Sequence, residues 1–119
     1  MAGSYIVHGE RIVDGDASVL TALTLYNSGS VVERTLLATE VLYITDVVII
    51  IETANDIQLL ADSAAGGRYI VDAKSPAVGN PITIHFNTPY TCPKGVVPKF
   101  KGASTNRSMC VIQGFIREA

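Results

Sequence analysis

The sequence predicts an all-β fold, an antiparallel β-sandwich of jelly-roll type that carries an N-terminal arm. Three observations predict it. Apolar residues alternate or come in short bursts, and no stretch sustains a 3.6-residue apolar stripe between helix caps. Gly, Pro, Asn and Asp punctuate the chain at short, regular spacing. The chain has 119 residues, 48% of them apolar and 17% charged, enough to bury one core without a disulfide or metal to hold it.

Strands are expected at Tyr5–His8, Val19–Tyr26, Val31–Leu37, Val41–Glu52, Ile57–Ala61, Arg68–Ala73, Pro81–Phe86, Val96–Lys101 and Ser108–Ile116. Turn residues separate them: Asp14-Gly15-Asp16, Asn27-Ser28-Gly29, Asn55-Asp56, Gly66-Gly67, Gly79-Asn80-Pro81, Lys94-Gly95 and Gly102 to Asn106. Residues 1–30 read as an arm or added strands, set off by a seam at Asn27–Ser30, and residues 31–119 as the sandwich. The arm is expected to serve attachment to a partner more than the core.

Two stretches say more about packing. Pro81–Phe86 alternates cleanly, which turns Ile82, Ile84 and Phe86 inward and Thr83 and His85 outward. In Val41–Glu52 both parities are apolar: Val47, Ile49 and Ile51 point one way, Val48 and Ile50 the other. A sandwich strand has one wet face as a rule, so this strand needs a cover on both, supplied by the N-terminal segment or by another subunit. Val47, Val48, Ile49, Ile50 and Ile51 are therefore the candidate oligomer interface, and the shortage of charge to coat a monomer agrees with it.

Pro98 inside Val96–Lys101 removes a ladder donor, which makes that stretch an expected edge strand guarded by Lys99 and Lys101. Charge is distributed unevenly: residues 1–72 hold ten acidic side chains and three arginines, whereas from Ala73 to Arg117 there are six basic side chains and no acid. Either opposite charges meet across the fold, or Lys94, Lys99, Lys101 and Arg107 form a basic edge that faces an acidic partner. Nucleic acid is not expected as that partner, since the basic residues are sparse and lack interleaved aromatics.

Catalytic and metal chemistry was sought and has no carrier in the residue pattern. His8 and His85 are far apart and lack ligand spacing, and His85 reads as an outward strand residue. Asp14 and Asp16 flank Gly15 as turn residues more than as a calcium cradle. No nucleophile elbow, phosphate loop, dinucleotide-binding glycine pattern or zinc spacing occurs, so neither an enzyme nor a cofactor is expected. Asn106-Arg107-Ser108 matches a glycosylation acceptor, read as incidental because the first residues do not resemble a secretory signal. The longest apolar run, Val47 to Ile51, is too short to span a bilayer, and no membrane partner is expected. Cys92 and Cys110 are expected as free thiols. If Val96–Lys101 pairs with Ser108–Ile116 as a hairpin, Cys110 lies opposite Lys99, and roughly 20 Å of strand separates it from Cys92.

Three stretches carry a resemblance: LYITDVVI at Leu42–Ile49, HFNTPY at His85–Tyr90 and VIQGFI at Val111–Ile116. Their order and spacing resemble the small β-sandwich virion proteins of tailed bacteriophages, over about residues 40–116. The resemblance implies a structural protein, a homotrimeric capsid decoration (cement) protein on the major capsid protein of a phage head. It would be made in the host cytoplasm and located on the virion. A receptor- or carbohydrate-binding knob of a head or tail fibre is the alternative. The matching positions are implied to be scaffold: Tyr43 and Thr45 on one parity, Phe86 inward, Pro89 ending a strand, and Gly114 where the last strand bends or meets another backbone. The chain departs from the pattern at Phe115, where Tyr is commoner, and residues 1–39 fall outside it.

Overall fold

The computed structural model describes residues 5–13, 21–27, 32–51, 57–61, 69–73, 81–101 and 108–118. Among these residues the chain is all-β. Its strands are β1 (Tyr5–Val13), β2 (Thr21–Ala22), β3 (Thr24–Asn27), β4 (Glu40–Ile51), β5 (Ile57–Leu60), β6 (Tyr69–Ala73), β7 (Ile82–Thr91), β8 (Lys99–Lys101) and β9 (Ser108–Glu118). They form two antiparallel sheets, one in the order β3-β1-β9-β4-β7 and the other in the order β2-β8-β5-β6. Val7, Leu25, Leu42, Ile44, Val47, Ile49, Ile112 and Ile116 from the first sheet share one buried cluster with Ile57, Leu59, Val71 and Phe100 from the second. The fold is a β-sandwich. Each fully buried Phe, Leu or Ile in such a layer contributes about 1.5–3 kcal/mol over leaving it exposed.

The expected arm enters the sandwich as strands. β1 pairs with β9 along its whole length and with β3 on its other side, and Val7, Leu23 and Leu25 are core residues. Of the two expectations for residues 1–30, an arm or added strands, β1 and β3 fit the added strands, because they pair within the five-stranded sheet. The stretch expected as one strand from Val19 to Tyr26 divides at Leu23 instead. Thr21 and Ala22 pair with β8, whereas Thr24 to Asn27 pair with β1 in the opposite sheet. Leu23 sits at this corner, buried, with its amide donating to the Pro98 carbonyl at 3.0 Å.

Four further expectations are corrected. Residues 32–37 do not form a strand; only a single bridge joins Glu33 to Tyr26. Beyond it a turn takes over, closed by the Glu40 amide donating to Leu37 O at 3.0 Å. Val96–Lys101 is neither long nor at an edge: β8 has three residues and lies between β2 and β5. Pro98 is tolerated because it precedes the strand, so its missing N–H interrupts no ladder there. The hairpin between β8 and β9 does not form either, since the two strands belong to different sheets. Pro89, finally, lies within β7, which continues to Thr91.

Strand β4 contains the feature that sets the register. Ile44 stands opposite Gly114 and Asp46 opposite Gln113, so Thr45 is an extra residue, a β-bulge. Inward parity changes there: Leu42 and Ile44 are buried before the bulge, and Val47 and Ile49 after it. A Cβ on Gly114 would overlap the Tyr43 carbonyl oxygen and lie 3.2 Å from the Ile44 Cα, both backbone atoms that cannot swing aside. Gly114→Ala is accordingly expected to cost at least about 2 kcal/mol, by forcing β4 and β9 apart at the bulge. A urea midpoint unchanged from wild type would show that the close approach is not required.

Candidate functional site

Alternation sends every second residue of β1, β3, β4, β7 and β9 to the outer face of the five-stranded sheet. The pairing registers arrange these residues in rows across the strands. One row runs Tyr43, Phe115, Ile6; the next runs His85, Asp46, Gln113, His8, Tyr26; a third runs Thr83, Val48, Val111, Glu10, Thr24. The middle row is polar, the Tyr43 row is apolar, and the third row brings Val48 and Val111 together between Thr83 and Glu10. Between them runs a groove of about 570 Å3 lined by Ile6, His8, Thr45, Val111, Gln113 and Phe115. A smaller hollow of about 230 Å3 continues it along Asp46, Val48, Thr83, Val111 and Gln113.

Ring contacts stiffen both ends. Tyr43 stacks on Phe115 with centroids 5.0 Å apart, and the Arg117 guanidinium lies 4.8 Å from the Phe115 centroid. His8 stacks on Tyr26 at 5.2 Å. On the floor, the bulge turns Thr45 outward, and its hydroxyl lies within hydrogen-bonding distance of Asp46 Oδ2 at 2.9 Å and of Gln113 O at 3.2 Å. Asp46 Oδ1 is 2.8 Å from His85 Nδ1. The hydrogen bonds from His85 and then Thr45 hold the Asp46 carboxyl below its ordinary range, against a weaker opposing effect of burial.

The interface candidates divide by parity. Val47 and Ile49 belong to the core and present no surface; Val48 and Ile50 lie on the outer face, half-buried. The side chain of Ile51 is outside the described residues. The candidate basic edge is not a sheet edge. Lys99 is half-buried and Lys101 exposed, both on the interior strand β8, and Lys94 is exposed at a turn. Arg107, Asp14 and Asp16 are outside the described residues. His85 is exposed on β7, as the alternation predicts, and it gains Asp46 as a partner.

Of the groove residues, Ile6 carries no signal in the sequence, and His8, Gln113 and Phe115 are marked there for other reasons, as a non-ligating histidine and as members of the closing VIQGFI stretch. One signal was available: Met109, Val111 and Phe115 make the second parity of the last strand apolar too. Ile6 is 69% exposed, which leaves this face apolar at its rim.

A second constellation lies at the entry of β4. Glu40 is buried, its Oε2 is 2.6 Å from Arg34 Nη2, and its Oε1 accepts from the Leu37 amide at 2.9 Å. Burial by itself raises the Glu40 pKa, but the Arg34 hydrogen bond, the Leu37 amide and the Arg34 charge outweigh it. The net value is below the ordinary 4.5. The turn from Pro93 to Val96, with Gly95 at φ 74°, docks here through its Gly95 amide on Glu40 O at 2.7 Å.

Both cysteines are buried free thiols. The reason is not the expected hairpin. The Cys92 amide bonds to Leu42 O, whereas Cys110 faces Ile49, so the two lie roughly 23 Å apart along β4. Burial pushes the Cys110 thiol up to about 12. Among the described residues no three His, Cys, Asp or Glu side chains gather to hold a metal, and no helix is long and apolar enough to cross a membrane. Comparison with known protein families, with curated proteins and with solved structures returns no match.

Two predictions follow from these groups. A carboxylate whose pKa is lowered by folding stabilises the fold above its unfolded value, and that stability is lost as pH falls through the folded one. The wild type should therefore weaken below pH 4.5. Glu40→Gln should be less stable near neutrality and decline less steeply in acid, with Asp46 still contributing among the described carboxylates; parallel urea curves for the two proteins would contradict this. Thiol reagent should find neither cysteine in native protein and both after unfolding, and rapid native labelling at Cys110 would show that its burial is incomplete.

Proposed function

We propose that this chain is a structural virion protein: a homotrimeric decoration (cement) protein that binds the major capsid protein of a tailed phage head and stabilises the shell. The observation that carries the reading is where the three resembling stretches meet. Leu42–Ile49, His85–Tyr90 and Val111–Ile116 lie far apart in sequence, yet they fall on the adjacent strands β7, β4 and β9. Their distinctive residues interlock at one bulge: Tyr43 on Phe115, Gly114 beneath the Tyr43 carbonyl, Thr45 against Gln113 O, and Asp46 beside His85. Each holds neighbouring strands in register, as a shared structural signature would.

Strand order supports the jelly-roll part of the reading. With β3 set aside, the orders β1-β9-β4-β7 and β2-β8-β5-β6 place successive strands in opposite sheets, apart from the β5–β6 hairpin. That is the pattern of two interleaved Greek keys. The interface is assigned to the outward pair Val48 and Ile50, whose apolar side chains are only half-buried. Closed cyclic symmetry covers such a patch without leaving an end from which filaments grow. The number three comes from the family resemblance.

Light scattering across a micromolar dilution series should give about three times the 12.6 kDa chain mass. Ile50→Asp should dissociate the assembly into folded subunits, whereas Ile49→Asp should unfold the domain. A stable monomer at these concentrations removes the interface, and a dimer removes the threefold cement arrangement. Phage particles purified from infected cells should carry the protein in fixed stoichiometry; particles without it would end the virion assignment.

A further inference from the structure

We infer that the outer groove of the five-stranded sheet is a binding site for a neutral oligosaccharide. The inference stands on the groove and not on the virion reading. Its volume of about 570 Å3 lies within the range of ligand clefts, roughly 300–1,000 Å3, and its form is an open trough. The groove runs over β1, β9 and β4, and the smaller hollow carries it on to β7, about 14 Å across four strands at the usual strand spacing. An extended chain of small units fits a trough of that kind.

Chemistry then narrows the ligand. Gln113 is exposed on the floor, and neither its carboxamide nor the His8 imidazole makes a side-chain hydrogen bond to another described residue. Both offer donors and acceptors, as sugar hydroxyls do. Flanking them, Ile6 and the Phe115 ring on one side and Val111 on the other present apolar surface to the C–H faces of a pyranose. No Asp, Glu, Lys or Arg side chain lines the main groove, and in the hollow beyond it Asp46 is hydrogen-bonded to His85. An ionic ligand finds no fixed charge on the main lining.

Other occupants fit less well. A wholly apolar partner would strip water from Gln113 and His8 without replacing their hydrogen bonds. An added β-strand needs the free backbone of a sheet edge, and this is a sheet face. Val48 lines only the smaller hollow and Ile50 lines neither, so a subunit contact through them leaves the Ile6–Phe115 end of the groove open.

The test is an NMR titration of the assembled, isotope-labelled protein with cellotetraose, maltotetraose and lacto-N-neotetraose, with 3′-sialyllactose as the anionic control. At least one neutral sugar should shift the His8, Gln113 and Phe115 amides saturably, at a concentration not above about 10 mM. Gln113→Ala should weaken that binding at least tenfold, and Lys101→Ala, on the opposite sheet, should leave it unchanged. His8→Ala carries the same expectation as Gln113→Ala if the latter changes the fold. The inference is overturned by silence from all three neutral sugars, by shifts confined to other surfaces, by binding of sialyllactose alone, or by full binding in folded variants of both residues. Light scattering on the same samples reports the oligomeric state separately, so loss of trimer and loss of sugar binding remain distinct results.

Discussion

The pairing of β4 with β9 across the Thr45 bulge is the constraint on which the rest of this structure depends. An extra residue on one strand shifts its alternation by one position, so β4 buries Leu42 and Ile44 on one parity and Val47 and Ile49 on the other. Both ends of a twelve-residue strand thereby face the same core. The bulge also brings the Tyr43 carbonyl against β9 so closely that only glycine fits at position 114. Thr45 hydrogen-bonds across the irregularity, and Asp46 is turned out toward His85.

The outer face of the five-stranded sheet takes its character from the same register. Because the bulge places Asp46 level with Gln113, the polar side chains of five strands fall into one row, with Tyr43, Phe115 and Ile6 in the row on one side and Val48 and Val111 at the centre of the row on the other. A one-residue slip would scatter that row and send its members inward. The virion reading and the oligosaccharide inference use different parts of this face. The first uses the apolar pair Val48 and Ile50 as a surface for another copy, and the second uses the trough between Phe115 and Val111. At the entry of β4, buried Glu40 ties Arg34, the Leu37 turn and the Gly95 turn to one point, which anchors the strand on which both surfaces are built.

Much of the sandwich is legible in the residues. Turn chemistry places Lys94-Gly95 correctly, and the even positions of Pro81–Phe86 do face the core, though only half-buried on an edge strand. Less of the candidate site can be read. The apolar double parity of Val47 to Ile51 marks a real feature, but it mixes core residues with surface ones. Alternation puts Gln113 and Phe115 on one face of the last strand, but no spacing links them to His8, which joins them only through pairing of the first strand with the last.

What the sequence by itself determined is local: period-two alternation and punctuating turn residues specify the all-β class, most strand positions and, where alternation is unbroken as in Pro81–Phe86, the inward residues. Such patterns act over a few residues, and each strand's preference for one buried face is expressed wherever the strand lies. Only the tertiary structure decided the partners. It divided Val19–Tyr26 between two sheets at Leu23, placed β8 inside a sheet and away from β9, and drew β1 into the sandwich beside the last strand. These choices depend on closing long stretches of chain and on how two sheets share one core, a balance of loop entropy against non-local burial that no short window of residues contains.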